Sequence, residues 1–488
     1  MANLIAPSEK GKQPGIFWGI GLSYILMLLP PAVYLFYSAS GAVGGPVAKQ
    51  VVAGTLLLSS TVLWIAGYIP NIATSIYVLV CISMLSLGST RDALEGLSSN
   101  SVLMFFAYSI IAYGMAESGL PRRIVFFLLR LANGKIRLVV LASFASVVLS
   151  VALIPIGLAR VVMFYPIFSK LVSSLELRHD SNLMKGLMLG TGMLSTYCST
   201  GIMTGATSSI LAVDLFAKFA GIQWGYIDWL AVFFPAVVLY TLTLYVTVLR
   251  VIPPEVCDVG QVRDSLKVQW EALGVVSKRE WKALLVIMGT IGATAFGGAL
   301  GMTPVSSSLA GALLMLIPPL GVKDIREVMS SVEWSTIYFF GTILSLGDAV
   351  QRSGLMESMG KSLLQLCQST HLNIEVIVVL MLVFIIFLRI PLPAATLFVG
   401  TLLPMAFIVA KSIGLNPVWF GMLAFQAGST LIIFPNQSPS LVYAFQKTDL
   451  RLNEVGRVGI RVFLVMLVWM ILISFLYWPS KGYSVWLP

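Results

Sequence analysis

Two stretches decide the fold: VALIPIGLARVVMFYPIF (residues 151–168) and FLRIPLPAATLFVGTLLPMAF (387–407). Pro155 and Pro166 stand eleven residues apart in the first, and Pro393 and Pro404 eleven apart in the second. Both pairs are offset by 238 positions. Proline lacks a backbone donor and interrupts a helix. Inside a membrane, the freed polar groups are tolerated only against protein or a wet cavity. Matched interruptions in two halves of one chain therefore point to a site where two repeats meet.

The rest of the composition supports a membrane setting. The chain has 488 residues, 58% hydrophobic and 11% charged, with a mean hydropathy of +0.92. Soluble domains carry roughly 25% charged residues. An all-α polytopic membrane protein is expected. The formal charge of +10 does not indicate a nucleic-acid partner, because the basic residues flank apolar runs, as membrane topology requires. Cys81, Cys198, Cys257 and Cys367 are scattered without metal or redox spacing and read as small apolar residues. The opening MANLIAPSEKGKQPG carries no signature of a cleavable leader, and the run after it is long enough to stay in the bilayer.

Eleven apolar runs have spanning length: 16–37, 48–67, 70–88, 100–118, 186–220, 227–249, 283–300, 303–320, 334–350, 416–446 and 459–478. Runs 186–220 and 416–446 are overlong and rich in Ser, Thr and Gly inside, so each reads as two half-helices around an unwound middle. The proline-bearing segments 138–170 and 373–411 read as re-entrant hairpins that enter and leave on one side. With the hairpins uncrossed and the N-terminus cytoplasmic, 21 of the 31 Lys and Arg fall inside and seven outside. Arg160, Arg389 and Arg461 remain within apolar segments. This bias favours that orientation, with the C-terminus outside and a bacterial inner membrane as the expected location.

The halves resemble each other beyond the prolines. TRDALEGLSSNSVLMFFAYSIIAYGMAESGL (90–120) parallels KDIREVMSSVEWSTIYFFGTILSLGDAVQRSGL (323–355). Five crossings separate equivalent spans, so the repeats are inverted. Inverted repeats place a substrate site near the midplane and suggest alternating access. PRRIVFFLLRLANGKIR (121–137) reads as an interfacial amphipathic helix, with 356–371 as its counterpart. The expected parts are 1–137 and 283–372 as scaffold, 138–250 and 373–488 as transport elements, and 251–282 as a plain cytoplasmic linker.

These residues resemble the divalent anion–sodium symporter family over nearly the whole chain. LWIAGYIPNIATSI (63–76), EGLSSNSVLMFF (95–106), MAESGLPRRI (115–124), LLPMAFIVAKSIGLNPVWFGMLAF (402–425) and FPNQSPSLVYA (434–444) carry the likeness. The resemblance implies a homodimer whose transport parts move as an elevator and carry small anions. It also implies Ser-Asn-Thr at each hairpin tip. Here the tips read Ile156-Gly157-Leu158 and Ala394-Ala395-Thr396, so only Thr396 matches. At the broken helices, Ala206-Thr207-Ser208-Ser209-Ile210 and Gln437-Ser438-Pro439-Ser440-Leu441 keep Thr207, Ser438 and Pro439 of the pattern.

The candidate substrate-binding residues are Gly157, Arg160, Thr200, Gly201, Thr204, Thr207, Ser208, Arg389, Thr396, Asn436 and Ser438. A charged residue at membrane depth marks a pathway by default, and the guanidinium fork suits carboxylate, sulfonate or sulfate. Arg160 and Arg389 are read as fixed positive charges in the role that sodium has in the family. The alternative is that they snorkel or pair with an acid such as Asp214. Hydroxyls and half-helix N-termini would hold the rest of the anion, while Thr191 and Ser195 read as packing residues. A sodium ion, if one binds, is placed near Gly157, Thr207, Thr396 and Ser438. His179 and His371 read as solvated loop residues.

Sodium symport, proton coupling and anion exchange all fit, with a lean toward sodium-independent exchange. An anion channel on the same fold is the alternative of another class. No cluster of acids or His/Asp pair supports an enzyme, and no other cofactor is expected.

Overall fold

The computed structural model describes residues 14–42, 45–255, 258–317, 324–355, 357–358, 362, 365, 374–390, 392 and 395–486. Pro393, Ala394, His371, Cys257, Cys367 and most of the 356–371 counterpart lie outside them. Helix accounts for 81% of the structure, and no strand occurs among the described residues. The protein is an all-helical polytopic membrane protein.

The chain runs through α1 (Pro14–Ala39), α2 (Pro46–Ala66), α3 (Asn71–Met84), α4 (Thr90–Glu95), α5 (Asn100–Ser118), α6 (Leu120–Leu131), α7 (Ile136–Leu153) and α8 (Gly157–Ser174). It continues through α9 (Asn182–Tyr197), α10 (Thr207–Leu215), α11 (Tyr226–Val251), α12 (Val259–Glu271), α13 (Lys278–Phe296), α14 (Pro304–Leu316), α15 (Ile325–Ser331) and α16 (Trp334–Arg352). The last elements are α17 (Ile374–Arg389), α18 (Ala395–Ser412), α19 (Pro417–Thr430), α20 (Pro439–Gln446) and α21 (Leu452–Leu472). Helix occupies each of the eleven spans read from the sequence.

Among the described residues, seven helices are long and apolar enough to cross a membrane. Two of these, Ile136–Leu153 and Ala395–Ser412, are arms of the segments read as hairpins. Length and apolarity therefore do not separate an arm that turns back from a helix that crosses.

Two compact units emerge, 1–97 with 341–358, and 98–340 with 359–488. In the first, the α4 end and the later part of α16 touch backbone to backbone. The Gly96 N–H donates to Ser345 Oγ at 3.0 Å, and a Cβ on Gly96 would lie 2.0 Å from the Gly341 carbonyl oxygen. Only glycine fits that approach. Asp92, in a capping box with Ser89, also pairs with Arg352 at 2.8 Å.

The second unit holds both proline-bearing segments. The Ile154 N–H makes the last bond of α7, to Ser150 at 2.8 Å, and Pro155 then ends the ladder. Residues 154–156 are not helical, and α8 starts at Gly157. Pro166 and Pro404 behave differently from the expectation. They sit inside uninterrupted helices, α8 and α18. In apolar helices, packed neighbours and small backbone adjustments re-satisfy the group that proline frees. Only the first proline of each pair can end a helix here, and Pro393 is not among the described residues.

Both overlong runs are interrupted. In the first, α9 passes into a 3-10 turn over Cys198–Gly201, then a tight turn closed by the Gly205 N–H on the Ile202 carbonyl at 2.8 Å, then α10. In the second, α19 passes into extended chain and a 3-10 turn over Pro435–Gln437, then α20.

The 251–282 connection is more than a plain linker. It carries α12, whose Trp270 lies against Phe127 and under the guanidinium of Arg130 at 4.9 Å. Arg123 from α6 pairs with Glu280 at 2.7 Å and donates to the carbonyls of Leu273, Gly274 and Val275. A polar connection lacks the apolar periodicity that marks a docked helix, so its sequence hid this role. His179 is exposed, as expected. Cys81 and Cys198 are buried free thiols.

Candidate functional site

Arg160 and Arg389 are both fully buried. A buried guanidinium must spend its donors, because an unpaired charge in an apolar interior is costly. Arg160 Nη1 donates to the carbonyls of Ile154 at 2.5 Å and Gly205 at 3.2 Å. Its Nη2 donates to the Ser195 carbonyl and to Ser199 Oγ. Arg389 donates from Nε to Gly428 O at 2.8 Å, from Nη1 to Leu392 O at 2.6 Å, and from Nη2 to Gln437 O at 3.0 Å. Among the described residues neither pairs with an acid. Asp214, the acid considered for that role, instead accepts from Ser101 at 2.7 Å and 2.6 Å.

The two arginines reach corresponding carbonyls. One lies in the interruption after the first arm, Ile154 or Leu392. One lies two residues before the first half-helix ends, Ser195 in α9 or Gly428 in α19. One lies two residues before the second half-helix begins, Gly205 ahead of α10 or Gln437 ahead of α20. Yet the arginines are not equivalent in sequence. The 238-residue offset carries Arg160 to Phe398 and Arg389 back to Val151. Arg160 comes from the second arm, α8, and Arg389 from the first, α17.

Around these clamps the two interrupted runs interlock. A Cβ on Gly157 would lie 2.9 Å from Ser440 Oγ and 3.0 Å from the Ser195 carbonyl, so the start of α8 abuts the start of α20. Thr207 and Thr396 share a hydroxyl hydrogen bond of 2.8 Å, which joins the starts of α10 and α18. Thr196 and Ser438 share another at 2.5 Å. Thus α8 meets α20, and α18 meets α10.

Helix starts carry unspent backbone donors and partial positive charge. The residues before α8 and α10, Ile156 and Ala206, give no side-chain cap. The amides of residues 157–159 and 207–209 are thus left for an outside acceptor. α20 differs: it starts with Pro439, which has no N–H, and Ser438 Oγ accepts from the Leu441 amide. Arg160 Nε is buried with no partner. The arrangement is a half-buried, positively polarised pair of helix starts with no acid among the residues that form it. It can hold an anion through amides and hydroxyls.

Sodium fits poorly. The carbonyls at both crossings are engaged by guanidinium groups, and the Thr207, Thr396 and Ser438 hydroxyls bond to one another or to Thr196. Among the described residues no group of His, Cys, Asp or Glu could hold a metal ion.

The structure thus brings together Gly157, Arg160, Thr207, Thr396 and Ser438, with Arg389 at the second crossing. Ser208 and Thr204 are buried on the same interrupted run. Thr200 and Gly201 face away: the Thr200 carbonyl accepts from Trp229 Nε1 at 2.9 Å, and Gly201 is pressed against Val237 on α11. Asn436 is exposed, whereas its neighbour Gln437 is buried and accepts from the Ile433 and Phe434 amides at 2.7 Å and 2.9 Å.

Sequence reasoning missed the roles of Ile154, Ser195, Gly205, Leu392 and Gly428, because their carbonyls act and any residue supplies one. It also missed Gln426, whose Oε1 accepts from the Tyr197 hydroxyl at 2.8 Å and ties the two first half-helices together.

The family described as "Sodium:sulfate symporter transmembrane region" matches residues 22–483. A membrane protein of Cupriavidus necator is 22% identical over 394 residues, covering 80% of this chain and 77% of its own. The citrate/succinate antiporter of Escherichia coli K12 is 27% identical over 334 residues, 66% of each chain. The L-tartrate/succinate antiporter of the same strain is 24% identical over 399 residues, covering 79% of this chain and 80% of its own.

Proposed function

This chain belongs to the sodium:sulfate symporter transmembrane family, and from that premise we propose that it exchanges small di- or tricarboxylates across a membrane without sodium. It is a membrane transporter and not an enzyme. In this reading the anion rests on the free amides at the starts of α8 and α10 and on the hydroxyls of Thr207 and Thr396. Arg160 and Arg389 supply permanent positive charge. Each guanidinium takes the carbonyl oxygens that a mobile cation would need.

The observation that carries the reading is this pair of cation-filled crossings beside two uncapped helix starts. A site with its charge built in has no need to load sodium in order to bind an anion. It also has reason to cross only when loaded, because moving uncompensated positive charge through the bilayer is costly. Exchange follows from that cost. The names of the two antiporters support carboxylates of this size as substrates.

The mechanism belongs to the same proposal. The segments 138–170 and 373–411 turn back as inverted-repeat hairpins. The transport parts 138–250 and 373–488 slide as an elevator against a homodimeric scaffold. The N-terminus is cytoplasmic, in a bacterial inner membrane.

Purified protein in liposomes loaded with succinate tests this. Uptake of labelled succinate should require internal succinate and should not change when sodium is replaced by potassium. Sodium-driven accumulation in empty liposomes would replace exchange with symport, and single-channel currents would favour the channel.

A further inference from the structure

Asp214 has no part in the anion site, yet it is the acid most deeply committed to a contact across the proposed parts. It lies on α10, seven residues beyond Thr207. One carboxylate oxygen accepts from both the backbone N–H of Ser101, at 2.7 Å, and its hydroxyl, at 2.6 Å. The hydroxyl also lies 3.1 Å from the Ile210 carbonyl, one turn before Asp214 on the same helix. Ser101 is 1% exposed. It is the second residue of α5, a helix of 19 residues that already has a cap in Ser99. Asp214 thus places a carboxylate at the positive end of a long helix from another element. Two short bonds between a charged acceptor and a helix start are among the stronger contacts a protein makes. Lys218, one turn further along, is the cation that interacts electrostatically with Asp214.

We infer that the Asp214–Ser101 contact is a latch that holds the transport elements on the scaffold in one of the two access states. The inference rests on the alternating-access reading, in which α5 belongs to the fixed part and α10 to the moving one. A slide of α10 along α5 breaks both bonds at once, because both end on a single oxygen. Nothing in the anion site changes when they break. The latch therefore sets how the loaded carrier divides between its two states and leaves intrinsic affinity alone.

The test uses full-length protein in liposomes and labelled succinate, with half-saturation measured on each side of the membrane. Asp214→Asn should shift the ratio of internal to external half-saturation by about tenfold, the scale of a lost charge-assisted bond. One constant rises and the other falls, while exchange stays one-for-one. Ser101→Ala keeps the backbone donor and should shift the ratio the same way by about threefold. It also answers the question if Asp214→Asn does not fold.

An unchanged ratio in a tightly coupled protein overturns the latch and leaves the exchange reading intact. Constants that rise together on both sides also overturn it, by placing Asp214 in the binding machinery. A wild-type protein that passes succinate without counter-substrate overturns the exchange reading alone, whereas one that gives single-channel currents overturns alternating access and the latch together.

Discussion

The two arginine crossings look alike from the carbonyls and unlike from everything else. Each guanidinium joins an interruption to both sides of a broken helix. At the first crossing, Arg160 keeps Nε free and the α10 start has no side-chain cap. At the second, Arg389 spends Nε on Gly428, Ser438 caps α20, and Gln437 closes the turn onto Ile433 and Phe434. The first crossing leaves donors for a ligand, and the second consumes its own. The contrast fits the proposal, with ligand donors at one crossing and rigidity at the other. What corresponds between the crossings is the set of carbonyls and not the arginine position.

Substituting the arginines should break or sustain this contrast most visibly. Arg389→Met leaves three buried carbonyls without a donor and should destabilise the protein by about 3 kcal/mol or more. Thermal unfolding would show it, with succinate affinity of the surviving protein falling less than in the Arg160 variant. Arg160→Met should lose stability on the same scale and weaken succinate binding by at least about tenfold. Equal effects on affinity at both positions would erase the proposed division of labour.

Gly157→Ala comes next. Its methyl would press on Ser440 Oγ at 2.9 Å and on the Ser195 carbonyl at 3.0 Å. Overpacking of this kind costs about 1–3 kcal/mol, and exchange should fall roughly tenfold or more on that scale. Adding Ser440→Ala should restore part of the rate. Failure of that rescue would separate α8 from α20.

Gln437→Ala strands two amides and the Ile390 carbonyl contact, and should lower stability by about 1–3 kcal/mol without changing the half-saturation constant. Thr207→Val removes one hydroxyl bond to Thr396. It should weaken affinity by about fivefold, as expected for the first crossing. A larger affinity change from Gln437→Ala than from Thr207→Val would invert the contrast.

The smallest effect belongs to the other compact unit and serves as a control for both crossings. Hydrogen bonds from the Ser89 backbone and side chain, with help from Arg352, hold the Asp92 carboxyl below its ordinary value of 3.8. A carboxyl lowered in the folded state stabilises above its ordinary range, and that stability is lost as pH falls through its folded value. Asp92 is half-buried and its pairing with the exposed Arg352 is screened by salt, so only a slight acid-side drop in melting temperature is expected. Asp92→Asn should remove the drop and leave succinate exchange unchanged.

Much of the architecture could be read directly from the residues. The apolar runs, the overlong Ser/Thr/Gly-rich segments and the interruption at Pro155 all appear where the letters put them. Thr207 bonds to Thr396, Ser438 bonds to Thr196, and Gly157 lies against Ser440. Thr200, Gly201 and Asn436 were misplaced because hydroxyl and amide letters do not say which face of an unwound segment they occupy. Pro166 and Pro404 were over-read, since a packed helix absorbs one missing donor.

Sequence by itself determined where helices start, end and enter an apolar medium. Transfer free energy, proline's missing donor and the charge bias along the chain are local quantities, and residue letters carry them. Only the tertiary structure decided what the two arginines hold. Their partners are backbone carbonyls, identical in every residue, selected by how two broken helices and two interruptions cross in space.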